Sequence, residues 1–238
     1  MDHRRSRLGQ IVAIGRRSQQ VLVLSAITGA LTGAAVALFD WLVSDVMFDW
    51  LLRQSDWFKA VAPLIGLALA VAALRWLARG ATPATSDEYI RNFHDRHRRL
   101  DERPVLGRIV ASVATLGFGG AMGYEGPSIY IGAAIGSGLQ RRLSRFFSRD
   151  DAKLLLVAGA AAGVSAIFKA PATGAVFALE VPYQDDVARR MLLPALTAAA
   201  VSYVTFVSFN GTTPLLPVRG APPFDLRDLG GAAVLGVL

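Results

Sequence analysis

Three consecutive apolar runs, residues 128–139, 154–168 and 171–182, are each too short to cross a hydrocarbon core of about 30 Å as a straight helix. Gly and Pro breaks separate them, and runs of membrane length flank them on both sides. Lipid offers no partner to bare backbone polar groups, so such short segments must be helices that stop part-way and turn where protein covers them. The pattern predicts an all-α polytopic membrane protein with broken, re-entrant helices. Half-helices at membrane depth present their ends to a central site, as transporters and channels do.

Composition agrees with a bilayer protein: 53% of the 238 residues are hydrophobic, and mean hydropathy is +0.41. The first long run, residues 21–46, follows an Arg-rich start and leads into Trp50 and Trp57. It is too long for a signal peptide core and lacks a small-residue cleavage site, so it reads as a retained helix. The net charge of +7 invites a nucleic-acid partner, but the placement of the charges argues against one. With the N-terminus cytoplasmic, the inner segments hold Arg4, Arg5, Arg7, Arg16, Arg17, Arg91, Arg96, Arg98, Arg99, Arg103, Arg108, Arg141, Arg142, Arg145, Arg149, Lys153, Arg189 and Arg190. The outer segments hold only Arg53, Lys59, Arg219 and Arg227. This is the positive-inside bias of a cytoplasmic-membrane protein. The lipid bilayer, not a nucleic acid, is the expected partner. The chain has no cysteine, hence no disulfide or thiolate metal site.

Residues 1–19 read as a basic amphipathic helix on the cytoplasmic face, and 20–238 as the transmembrane domain. Within it, spans are expected at 21–46 and 58–78, and Gly29, Ala30, Gly33, Ala34 and Ala35 allow close helix approach. Arg79-Gly80-Ala81-Thr82-Pro83 is a break before a charged helix over 86–100, whose first turn holds Asp87 and Glu88. Residues 104–122 and 191–209 are further membrane-length runs. The final run, 229–238, ends inside an apolar stretch, so the chain is expected to continue past Leu238.

The chemistry concentrates at Gly123-Tyr124-Glu125-Gly126-Pro127. A carboxylate at membrane depth is costly and marks a functional candidate. Pro127 is placed to open a helix, and the free N–H groups and positive dipole of a helix N-terminus attract an anion. A carboxylate beside such a site competes with a permeating anion, and protonation removes the competitor. Glu125 is therefore a candidate gate; capping of its helix is the plainer reading, and the two roles are compatible.

With its continuation Ser128-Ile129-Tyr130-Ile131-Gly132, this stretch resembles the G-[KR]-E-G-P-x-x-x-I-G signature of CLC chloride channels and chloride/proton antiporters. Gly159-Ala160-Ala161-Ala162-Gly163, Phe168-Lys169-Ala170-Pro171 and Phe177-Ala178-Leu179-Glu180-Val181 are similar to that family's G-A-A-A-G…F-x-A-P…F-x-x-E segment. The resemblance covers the chain as the first of the family's two inverted repeats. It implies chloride or a similar small anion as substrate, a homodimer with one pore per subunit, no cofactor, and no enzymatic role. It makes Glu125 the gating glutamate, with Tyr124 and Gly126 offering main-chain N–H groups to the anion. Tyr124 departs from the family's basic residue, which weakens attraction at the mouth. The family's G-S-G-I-P serine falls on Gly80, so Gly80, Ala81 or the Thr82 hydroxyl would take its place unless the segment is only a turn. Val181 stands where antiporters carry an inner proton glutamate, which points to passive, voltage- or pH-gated conduction before proton-coupled exchange.

Other residues admit plainer readings. Glu180 suits a solvated or Arg-paired helix end. Lys169 is read as an inner vestibule cation, with snorkelling to the interface as its alternative. His94 and His97 have helical spacing, but their charged helix reads as a solvated face and no metal is expected. A phosphate-cradling enzyme lacks a Walker lysine or a catalytic set here. A non-conducting scaffold that needs a second half stays open.

Overall fold

The computed structural model describes residues 2–95, 100–147, 153–183, 188–213, 220 and 225–237, with side chains from Ser18 onward. The described residues form helices and turns, with no strand among them. Helix α1 (Asp2–Asp40) runs without a break into a π-helical stretch (Trp41–Phe48) and a last turn, α2 (Asp49–Leu52). The helix assignment is continuous through residue 19, the expected boundary between the cytoplasmic helix and the transmembrane domain. Next come α3 (Asp56–Trp76), α4 (Ser86–His94), α5 (Val105–Gly117), α6 (Glu125–Arg142), α7 (Leu154–Phe168), α8 (Pro171–Glu180), α9 (Leu192–Asn210) and α10 (Leu226–Val237). Among the described residues, three stretches are long and apolar enough to cross a membrane: Ser18–Leu52, Asp56–Trp76 and Arg189–Asn210. The chain is thus an all-α membrane protein with short helices set between long ones.

Two helices depart from their expected lengths. The run over 104–122 was read as membrane-length, yet α5 stops at Gly117. The chain turns there through Gly119 at φ 79, a left-handed conformation suited to glycine, and the Gly120 N–H bonds back to Thr115 O at 2.8 Å. Conversely, α6 begins at Glu125 and continues to Arg142, so Pro127 sits in its first turn rather than at its start. Its 18 residues reach roughly 27 Å, not the half-span expected from 128–139. Helix α4 ends at His94, short of the predicted Leu100, and His97 lies outside the described residues.

Small residues set the packing. Helices α6 and α7 cross antiparallel, with Gly132 against Gly159, Gly136 against Leu155, and Gly163 against Ser128. A Cβ at any of these glycines would collide with the facing backbone. Helices α1 and α9 run parallel through Gly29 on Ala198 and Gly33 on Ser202. Ser165 Oγ donates to Ala199 O at 2.7 Å and Ser202 Oγ to Ala162 O at 2.8 Å, stitching α7 to α9. Without a hydrophobic drive in lipid, close approach and such interhelical bonds hold the bundle together. The result is a core of α6, α7 and α9 wrapped by α1 and α8.

Gly174, Ala175 and Ala178 of α8, and Ala195, Ala198, Ala199 and Ser202 of α9, are buried within this chain. The open faces carry larger groups, among them Val176, Phe177, Leu193 and Val204. Close packing inside the chain takes up the small side chains.

Candidate functional site

Two helix N-termini meet. Thr85, the residue before α4, lies so close to Gly126 in the first turn of α6 that a Cβ on Gly126 would stand 2.5 Å from Thr85 Oγ1. Ser86 Oγ lies behind it, 3.5 Å from the same point. Neither helix start is capped by a side chain. The N–H groups of Tyr124, Glu125 and Gly126 have no hydrogen-bond partner among the described residues. Uncovered donors at the positive end of an 18-residue helix make a place for negative charge.

Glu125 is the first residue of α6, exposed, with its carboxylate folded back toward Gly123. It makes no hydrogen bond or ion pair with any described residue. It therefore does not cap its own helix in this arrangement. The carboxylate thus stands beside free N–H donors without a fixed partner of its own.

Tyr124 is anchored where Glu125 is free. Its ring meets Phe39 edge-on, with centroids 6.0 Å apart, and its hydroxyl lies 2.9 Å from Ser44 Oγ. The hydroxyl keeps its proton and is a neutral donor.

Behind the two N-termini stands a cluster that sequence reasoning missed. Arg108 of α5, counted above among the inner-surface charges, is 5% exposed and not at a surface. Its Nε donates to Thr82 O at 3.0 Å, one Nη donates to the Tyr130 hydroxyl at 2.9 Å, and the other lies 3.8 Å from Glu88. Asn92 Nδ2 donates to Glu88 Oε1 at 2.9 Å. One guanidinium thus ties the loop before α4, α4 itself and α6 into one unit. The available signal was a lone arginine inside an apolar run, which is costly in lipid unless paired. Helix α4 keeps a solvated face, with Asp87, Arg91 and His94 exposed, while its opposite face is inside: Glu88, Tyr89 and Asn92 are buried, and Tyr89 donates to Ala178 O at 2.6 Å.

The remaining expected site residues separate into positions near the pair of N-termini and positions far from it. The Gly80 N–H donates to Leu74 O at 2.9 Å and the Ala81 N–H to Ala78 O at 3.1 Å, closing the end of α3 through left-handed Arg79 and Gly80. Those two N–H groups are occupied, so the turn reading fits this segment and neither is free for an anion. Thr82 is exposed and contributes its carbonyl to Arg108. Thr85 and Ser86, a few residues later, are the hydroxyls that reach α6.

Val181 follows the last residue of α8 and packs half-buried against the core, while Glu180 is exposed. Lys169, left-handed after α7, donates to Thr213 O at 2.6 Å and lies 5.9 Å from the Phe206 ring centre. Thr213 lies just past the end of α9 at which Asn210 meets Asp40. Lys169 therefore sits at the end of the molecule that holds Tyr124, opposite the end with Arg142 and Arg190 where an inner vestibule would lie. His94 bonds Pro182 O and stacks with Phe93 and Tyr183. No group of three or more metal-ligating side chains occurs among the described residues.

Residues 66–238 match the family model for voltage-gated chloride channels. The chain is 32% identical to chloride channel protein CLC-e of Arabidopsis thaliana, over 90% of this chain and 32% of that protein. It is 30% identical to the H(+)/Cl(-) exchange transporter ClcA of Citrobacter koseri, over 92% of this chain and 48% of that protein. Among solved structures it is similar to a CLC-type fluoride/proton antiporter, with TM-score 0.75 and 23% identity over 92% of this chain and 54% of that one. A slow cyanobacterial Cl-/H+ antiporter is similar at TM-score 0.70 and 22% identity, covering 91% of this chain and 53% of that one. These two likenesses bear on fold alone. The chain spans from about a third to about half of the length of the curated relatives it matches.

Proposed function

Because the chain belongs to the voltage-gated chloride channel family, we propose that it forms one half of a chloride pathway in which Glu125 is the gate. The observation that carries this reading is the pairing of an unpartnered carboxylate with three unpartnered N–H groups at the start of α6. The N–H groups of Tyr124, Glu125 and Gly126 bind the dehydrated anion, and the Thr85 and Ser86 hydroxyls border the same place. Deprotonated, Glu125 occupies the anion's position; protonated, it loses its attraction to the donors and leaves.

Proton-coupled exchange is the transport mode we favour, since relatives covered over nearly this whole chain are named H(+)/Cl(-) exchange transporters. Passive conduction is kept by one specific observation, Val181 at the place of the family's inner proton glutamate. Exchange then needs another inner carboxylate, and Glu180, exposed one residue earlier, is the nearest. The complete protein is taken to be a homodimer in the cytoplasmic membrane, its N-terminus on the cytoplasmic side.

The test records chloride and proton fluxes together in vesicles holding the full-length gene product. A fixed proton-to-chloride ratio supports exchange, and chloride flux with no proton movement supports conduction. Glu125→Gln should make chloride flux independent of pH. Retention of the wild-type pH dependence in that variant would sink the gate. Absence of any chloride flux would favour a scaffold.

A further inference from the structure

Tyr124 replaces a basic residue in the family signature, and the structure gives its hydroxyl a definite partner. Ser44 Oγ donates to Asp40 Oδ1 at 3.1 Å, so its own proton is committed and it accepts from Tyr124, 2.9 Å away. On the other side of the same carboxylate, Asn210 Nδ2 donates to Asp40 Oδ2 at 2.9 Å. Two donors in sequence thus run to one oxygen of an aspartate whose other oxygen takes a third donor, at the junction of α1, α9 and the gate element. The charged groups acting on the phenol are Asp40 and Asp45.

The local backbone supports more than incidental satisfaction of a hydroxyl. Ser44 lies within the π-helical stretch Trp41–Phe48, an arrangement rarer than the α-helix and frequent at functional sites. The stretch is packed, with Val43 fully buried and Met47 seated against Gly117. The widened turn carries Ser44 to the residue that opens α6. Tyr124 is also the last residue before the helix, and its carbonyl accepts the Ser128 N–H at 3.1 Å. Its side chain and main chain are therefore held together, and the orientation of the next two N–H groups follows.

We infer that Tyr124 is a positioning residue, which through its Ser44–Asp40 anchor fixes the donor groups at the start of α6 against which Glu125 competes. The inference rests on the gate reading above. It acts through geometry: where a basic residue would attract the anion by charge, this chain holds the receiving N–H groups still. Tyr124→Phe keeps the ring against Phe39 and removes only the bond to Ser44, and Ser44→Ala removes the same bond from the other side.

In the full-length protein in vesicles, each variant should raise the half-saturating chloride concentration by about two- to tenfold, the range for one lost hydrogen bond. Maximal flux should be unchanged in Ser44→Ala. The double variant should shift it no further than the larger single one, because both act on one bond. Saturation at the wild-type concentration in both single variants, or additive shifts in the double, would overturn the inference. Glu125→Gln measured alongside separates the two levels. If its flux becomes pH-independent while Tyr124→Phe saturates like wild type, only the anchor is wrong. If its flux keeps the wild-type pH dependence, the gate reading fails and this inference with it.

Discussion

Glu88 and Glu125 occupy matching places, each in the first turn of a helix, and those two helices meet end to end. Their surroundings are opposite. Glu88 is 6% exposed, faces Arg108 and takes a hydrogen bond from Asn92. Glu125 is open and touches no described partner. The same residue type at the same kind of position is a structural anion in one helix and a candidate moving part in the other. What separates them is the supply of donors: α5 brings a guanidinium to Glu88, and no described side chain brings a donor to Glu125.

The comparison breaks most easily at Arg108. Arg108→Met removes the guanidinium that faces buried Glu88 and strips Thr82 O and the Tyr130 hydroxyl of their donor. Removing one partner of a buried pair costs about 3–5 kcal/mol, so the thermal unfolding midpoint in detergent should fall by many degrees. Glu88→Gln in the Arg108→Met background should recover part of the loss, because the buried acid no longer faces the missing guanidinium as a charge. Unfolding at the wild-type temperature would mean that Glu88 is no more fixed than Glu125. Glu125→Gln is the counterpart. With no partner to lose, it should change stability by less than about 0.5 kcal/mol in the same unfolding measurement. A large drop would reveal a partner for Glu125 and erase the contrast.

The free carboxylate was legible in sequence and the fixed one was not. Glu125 stands between glycines at the head of an apolar run, so its isolation can be read locally. The ends of α7 follow from composition too, with Lys153 and Lys169 bounding an unbroken apolar stretch. Glu88 reads as an ordinary first-turn acid of a charged helix, because its partner lies 20 residues on, inside another helix. The same limit hid the Tyr124–Ser44 contact, which joins residues 80 apart in sequence. A substituted motif residue announces a lost charge, never the bond that stands in its place. The Gly80 segment stayed open between two readings for a local reason. Gly before Pro suits an anion loop and a helix C-cap equally, and only the bond from Gly80 N–H to Leu74 O decides between them.

The smallest effect concerns the seam between the two helices. Thr85 Oγ1 closes on Gly126 from the α4 side, and Ser86 Oγ stands about an ångström farther from the same point. A hydroxyl there can lend a hydrogen bond to an anion held by the α6 N–H groups, making α4 part of the binding surface as well as its support. Thr85→Val keeps the branched shape and removes the donor, so chloride affinity by calorimetry on the full-length protein should weaken by about two- to tenfold. Ser86→Ala should weaken it less, following the greater distance. Both variants should unfold as wild type does, since neither hydroxyl belongs to the Arg108 cluster. Unchanged affinity in Thr85→Val would assign α4 wholly to the scaffold, through Glu88 and Arg108. Anion contact would then belong to α6 alone, and the division between the two glutamates would extend to the helices that carry them.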